Sequence, residues 1–232
     1  AFMRKEVQTK PRDPVTTRYM AQLLEAVGTE MVVGLEVHNP AAFQNAFRCR
    51  TVHLNAHRLF AERIAEHAGS EPVVFLAPDG GAIKRTHQVQ QAYEALTGRA
   101  GDMAFIEKHR SNDVVSGGLF AGEVADADVV IVDDMISTGG TILRAARAAR
   151  ERGARRIFAV ATHALTSTWS PEFAESGVLE RIIVTDSAGP FGSLPKGLAA
   201  RLDIVSCAPL VGDAVRRLHG GGSITRLLNP RP

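Results

Sequence analysis

Short apolar runs alternate along this chain with stretches in which apolar residues recur at helical spacing. The runs are residues 31–35 (MVVGL), 73–77 (VVFLA), 129–132 (VVIV), 157–161 (IFAVA) and 182–184 (IIV). They are apolar throughout, as strands buried on both faces of a parallel sheet must be. Between them come four sets at i, i+3, i+4 and i+7: Met20, Leu23, Leu24 and Val27; Val89, Ala92, Tyr93 and Leu96; Ile142, Ala145, Ala146 and Ala149; Val211, Ala214, Val215 and Leu218. Each set is one apolar helical stripe. Gly28, Gly98 and Gly153 follow three of the stripes where a left-handed cap closes a helix, and Pro209 stands near the start of the fourth. The alternation predicts an α/β fold with parallel sheets flanked by helices. Residues 108–125 and 185–197 break the pattern and read as a polar loop and a connection.

Composition narrows the partners. At 232 residues the chain makes one large domain or two small ones, and 45% hydrophobic with 22% charged residues is ordinary globular composition. Lys+Arg 27 against Asp+Glu 25 leaves a net charge of only +2, which argues against a nucleic-acid partner held through bulk charge. No apolar run approaches the roughly 20 residues of a membrane span, so no membrane partner is expected. Cys49 and Cys207 have no CxxC spacing and imply neither a disulfide framework nor a structural zinc site. Two thiols in so long a chain fit a reducing cytosol, and a cytoplasmic location is expected.

The sharpest chemical signal is VVIVDDMISTGGTILRAA, residues 129–146. A strand runs into two acids, Asp133 and Asp134, and then into a turn of small residues, Ser137, Thr138, Gly139, Gly140 and Thr141, that opens a helix. Ligands bind at the carboxyl ends of strands in open parallel sheets, so the acids stand where a ligand arrives. A turn without bulky side chains offers backbone N–H groups and hydroxyls to a phosphate at the helix start. The carboxylates would repel a polyphosphate but suit sugar hydroxyls or a metal. Together these features describe a site for a phosphorylated sugar, and valine at Gly139 is expected to abolish binding without unfolding the chain.

This segment resembles the phosphoribosyl pyrophosphate loop of the type I phosphoribosyltransferase fold. The rest of the chain narrows the likeness: residues 3–24, GLEVHNPAAFQNAF (34–47), APDGGAIKR (77–85), IEKHR (106–110), DDMISTGGT (133–141) and SCAPLVGDAVRRLHGGGSI (206–224) are similar, in order, to segments of the ribose-phosphate pyrophosphokinase family. The resemblance implies transfer of the β,γ-diphosphoryl group of Mg-ATP to the 1-hydroxyl of ribose 5-phosphate, with Mg2+ as cofactor and a homo-oligomeric assembly. It implies that Asp133, Asp134 and the turn 137–141 hold ribose 5-phosphate. His38 and Asp79 match magnesium-contacting positions, and Lys108 and Arg110 match the basic pair that stabilises the migrating charge. Arg4, Lys5 and Glu6 match an ATP-contacting segment, and the resemblance counts His38 among the ATP-binding residues too. Lys84 and Arg85 are expected to help hold phosphate or the basic loop.

The sequence also departs from the family. Lys5 replaces Gln, Glu6 replaces Asp, Ser137 stands where many members carry Asp, and the elements that usually precede residues 3–24 are not in this sequence. The expected organisation is a partial amino-terminal domain, 1–56 plus a returning tail at 206–232, and a carboxyl-terminal domain, 57–205, with ligands between them. Two alternatives share parts of this pattern. A nucleobase phosphoribosyltransferase carries the DD…TGGT loop but is not expected to carry the 34–47 and 77–85 segments. A non-catalytic synthetase-associated regulatory protein lacks part of the catalytic set.

Overall fold

The computed structural model describes residues 4–107, 110–111, 114–115, 119–189, 191, 194 and 196–228. Two compact units divide the chain, Ala1–Ala56 and His57–Pro232.

In the first unit, α1 (Thr16–Ala26), β1 (Met31–Leu35), α2 (Pro40–Ala46) and β2 (Arg50–Leu54) follow one another, and β1 and β2 pair in parallel with Met31 opposite Arg50. The core of this unit is Ala21, Phe43 and Phe47, with Leu24, Val32 and Val37 packed against it. The buried side of α1 therefore runs through Thr17, Ala21 and Leu24. Leu23 and Val27, which the pattern placed on the buried stripe, are 64% and 80% exposed.

The second unit contains α3 (His57–Ala68), β3 (Val73–Ala77), α4 (Ile83–Thr97), β4 (Asp102–Glu107), β5 (Arg110–Ser111), β6 (Val114–Val115), β7 (Leu119–Ala121), β8 (Asp128–Ile136), α5 (Gly140–Glu151), β9 (Arg156–Ala164), α6 (Pro171–Glu175), β10 (Arg181–Thr185), α7 (Lys196–Ala199), β11 (Leu202–Val205), α8 (Ala208–His219) and α9 (Ile224–Leu228). Its main sheet has seven strands in the order β11-β10-β9-β8-β3-β4-β7. All neighbours are parallel except β4 and β7, which are antiparallel with Ile106 opposite Phe120. The stretch 108–125 is thus not wholly loop: a hairpin-like β5–β6 pair and an edge strand lie in it.

The central strands are buried on both faces. Val129 and Ile131 of β8 pack with Ile142, Ala145, Ala146 and Ala149 of α5, the one helix whose entire expected stripe is buried. Gly28, Gly98 and Gly153 all have positive φ, at 88°, 69° and 87°, as the cap positions require. The compact unit His57–Pro232 includes the tail from residue 206. Its entry into α8 is held by Asp186, just beyond β10, whose carboxylate accepts from Ser206 Oγ at 2.7 Å and from the Cys207 N–H at 2.8 Å. Among the described residues no helix is long and apolar enough to cross a membrane.

Candidate functional site

Strand register brings the acidic positions to one edge of the sheet. Leu76 of β3 pairs with Ile131 of β8, so Asp79, two residues past the end of β3, and Asp134, still within β8, are each three residues further on and stand at the same level. On the other side of β8, Asp133 lies opposite Ala161 and Met135 opposite His163. Side chains alternate along a strand. Asp133 shares the face of Val129 and Ile131, toward α5, and Asp134 shares the other face, where Arg85 of α4 waits. Arg85 Nη2 is 3.9 Å from Asp134 Oδ2, an ion pair too long for a hydrogen bond, between side chains only 13% and 5% exposed.

Asp133 is perturbed by its surroundings. Asp133 Oδ1 accepts the Asp134 backbone N–H at 2.8 Å. Its carboxyl is nevertheless pushed up to about 7, first by burial and then by the hydrogen bond and negative charge of Asp134, against the smaller opposing pull of Arg85. An easily protonated acid supplies a polyol with a donor as well as acceptors.

The turn that follows is pinned from behind. The Ile136 carbonyl accepts from the Leu165 N–H at 2.9 Å and from Trp169 Nε1 at 3.0 Å. The Ser137 carbonyl accepts from Thr168 Oγ1 at 3.0 Å, and the Thr138 carbonyl from the Ser170 N–H at 3.0 Å. With these oxygens engaged by residues 165–170, the turn has one side committed to the protein. The first N–H groups of α5 lack intrahelical acceptors and are directed toward the helix start, where an anion is welcome.

Gly139 is the helix cap, at φ 84°, and no side chain caps α5. A Cβ here would overlap the ring of Phe173, a fully buried residue that meets Trp169 edge-on at 5.1 Å. The expectation that Gly139 tolerates valine without unfolding is therefore corrected: its missing side chain serves the fold before it serves a ligand. Gly140 is different. A Cβ there would lie 3.5 Å from Arg144 Nη1 and 3.7 Å from Thr138 Oγ1, with no backbone in the way.

The remaining positions fall in several places. Asp79 caps the 3₁₀ turn Gly80–Ala82, its Oδ1 accepting from the Gly81 N–H at 3.1 Å. It is a hard oxygen donor at the strand exit, of the kind magnesium takes singly beside substrate phosphates. Among the described residues no three His, Cys, Asp or Glu side chains converge as a ligand set.

In the first unit, His38 is exposed on the turn into α2, which Asn39 starts by accepting from the Ala42 N–H at 3.1 Å. Arg4 is exposed, whereas Lys5 Nζ is 2.7 Å from Asp13 Oδ2 and 2.8 Å from Thr9 Oγ1. That ammonium shapes the 5–13 loop and is committed there. Glu6 Oε2 is buried without a hydrogen-bond partner among the described residues. Lys108 lies outside the described residues, and Arg110 is described only as backbone, paired with Val115.

Reading by sequence missed what supports the turn. Trp169 and Phe173 lie some 30 residues beyond it, and only the edge-to-edge neighbourhood of β8 and β9 brings them under it. Arg85 is visible in the sequence as a basic residue, but its acidic partner depends on the β3–β8 register.

Residues 108–229 match the family described as Phosphoribosyl synthetase-associated domain. A ribose-phosphate pyrophosphokinase of Vibrio parahaemolyticus is 34% identical over 221 residues, which are 94% of this chain and 67% of that protein. One from Listeria ivanovii is 30% identical over 228 residues, 97% of this chain and 68% of its own length. The crystal structure of phosphoribosylpyrophosphate synthetase from Mycobacterium smegmatis has a TM-score of 0.78 at 29% identity, covering 95% of this chain and 69% of that one. The likeness thus extends along nearly the whole chain and about two thirds of each relative.

Proposed function

Because the chain belongs to the ribose-phosphate pyrophosphokinase family, we propose that it forms 5-phosphoribosyl 1-pyrophosphate from ATP and ribose 5-phosphate. The observation that carries this reading is the conjunction, in one strand-turn-helix, of two adjacent carboxyls, that of Asp133 raised by burial, with a turn pinned from behind and open at its helix start.

The 5-phosphate sits on the turn 137–141, receiving backbone N–H groups and the hydroxyls of Ser137, Thr138 and Thr141. Asp133 and Asp134 hold the ribose hydroxyls, which orients the 1-hydroxyl. Its oxygen attacks the β-phosphorus in line and its proton passes to solvent; a new O–P bond forms, the bond from that phosphorus to the α–β bridging oxygen breaks, and AMP leaves with that oxygen. Positioning and charge stabilisation carry such a transfer, and no nucleophilic side chain is needed.

Magnesium, when bound, neutralises the triphosphate, and Asp79 and His38 are the residues that would hold it. Lys108 and Arg110 stabilise the migrating diphosphoryl group. Arg4 and Glu6 contact the nucleotide, while Lys5 shapes their segment through Asp13. The assembly is a cytoplasmic homo-oligomer.

AMP release coupled to a dehydrogenase readout tests the reading. It should require ATP, a divalent cation and ribose 5-phosphate together, and should fall by about 10²-fold or more in Asp133→Asn. AMP release that ignores ribose 5-phosphate, or base-dependent pyrophosphate release from phosphoribosyl pyrophosphate in its place, would overturn it.

A further inference from the structure

Arg144 is the fifth residue of α5, one turn in, and its side chain folds back toward the helix start. Its Nη2 donates to Thr141 Oγ1 at 3.3 Å, and its Nη1 stands 3.5 Å from the space a Cβ on Gly140 would fill. This is the unfavourable end of a helix for a cation. The start of an α-helix carries a partial positive charge of roughly half an elementary unit, and the first turn of α5 contains no acid to offset it.

The other arginines along the same helix are accounted for. Arg147 Nη1 donates to Glu172 Oε1 at 2.7 Å, and Arg150 Nη1 donates to the carbonyls of Ala154 and Arg155, both at 2.8 Å. Among the described residues Arg144 has no carboxylate, only one hydroxyl at the outer limit of a hydrogen bond. A guanidinium set beside a positive helix end is an arrangement that an anion resolves: it would be met from below by backbone N–H groups and from the side by a rigid fork of donors.

We infer that Arg144 is a specificity-determining residue for the 5-phosphate, raising the preference of the site for a phosphorylated sugar. The inference rests on the reading of residues 133–141 as the ribose 5-phosphate site. It concerns a residue that precedes any chemistry: Arg144 is remote in role from the transferred diphosphoryl group and acts on ground-state binding.

Calorimetric titration of ribose 5-phosphate into wild type, Arg144→Ala and Arg144→Lys tests it, with thermal melting of each ligand-free protein as the control. Arg144→Ala should bind ribose 5-phosphate at least about tenfold more weakly, the scale of one lost charge-assisted hydrogen bond. Arg144→Lys should recover part of that, because it restores charge without the planar fork. The affinity of the wild type should also fall more steeply with salt than that of Arg144→Ala. The ligand-free alanine variant should melt no lower than wild type, since a cation has been removed from a helix start.

Affinity within twofold of wild type would overturn the inference while leaving the site reading intact. A weakened affinity accompanied by a lower melting temperature of the free protein would make Arg144 structural and overturn it too. If wild type itself does not bind ribose 5-phosphate, the site reading fails and the inference goes with it.

Discussion

Asp133 and Gly139 show at the scale of single residues how the site and the fold share atoms. The Asp133 carboxyl, at about 7 in the fold against 3.8 when free, binds a proton across the window in which the unfolded chain has lost it. Its contribution to stability therefore falls as pH rises from about 4 to about 7, and is lowest above that range. Ligand-free wild type should lose more melting temperature between pH 5 and pH 8 than Asp133→Asn does; two parallel curves would place the proton elsewhere. Gly139 gives a second contrast. Gly139→Ala should unfold at lower urea because its Cβ meets the Phe173 ring at a positive φ, whereas Gly140→Ala should keep its urea midpoint and lose ribose 5-phosphate affinity. A stable, monodisperse Gly139→Ala would contradict the packing described. The pair of glycines looks alike in the sequence; only the position of Phe173 tells them apart.

At the scale of elements, legibility followed the continuity of apolar runs, even where, as in β1, the strand is only partly buried. The strands recognised from the sequence, around 31–35, 73–77, 129–132, 157–161 and 182–184, are largely those with continuous apolar runs, whereas β2, β4, β7 and β11 carry charged or exposed residues and left no such mark. β7 could not be foreseen as antiparallel because its partner, β4, ends in Glu107 and the chain returns through a polar stretch. α3 did leave a signal in Phe60, Ala61, Ile64 and Ala68, diluted by His57, Arg58, Glu62, Arg63, Glu66 and His67 on its other faces. The acids and the small-residue turn were legible because they are contiguous. The support of α8 was not, since its acceptor, Asp186, lies 21 residues before Cys207. That carboxylate is held below the usual range by its bonds to the Cys207 thiol and backbone, and it does the work of a cap from outside the helix. Asp186→Ala should cost about 1 kcal/mol, the usual worth of a helix cap, and hydrogen exchange should accelerate first in α8.

Over the second unit as a whole, the two ends of the sheet have different tasks. Asp128, at the start of β8, is fully buried, with Arg156 Nη2 2.5 Å from Oδ2, Arg156 Nε 3.0 Å from Oδ1 and Arg155 Nη2 3.0 Å from Oδ1. Arg156 also reaches the Ala68 carbonyl at the end of α3, so one carboxylate ties together β8, β9 and a helix. Asp128→Asn should lower stability by on the order of 2–3 kcal/mol, less than a wholly buried pair because both arginines keep some water. Ribose 5-phosphate affinity under native conditions should stay unchanged, since Asp133 and the turn stand at the opposite ends of the strands. A parallel loss of affinity would mean that the sheet transmits strain along its length. The turn itself has a kinetic consequence. With the carbonyls of Ile136, Ser137 and Thr138 already bonded to residues 165–170, the segment has little conformational entropy left to surrender when a ligand arrives. Association should then proceed as a single fast phase whose rate rises linearly with ligand concentration, without the plateau that a slow rearrangement of the cradle would impose.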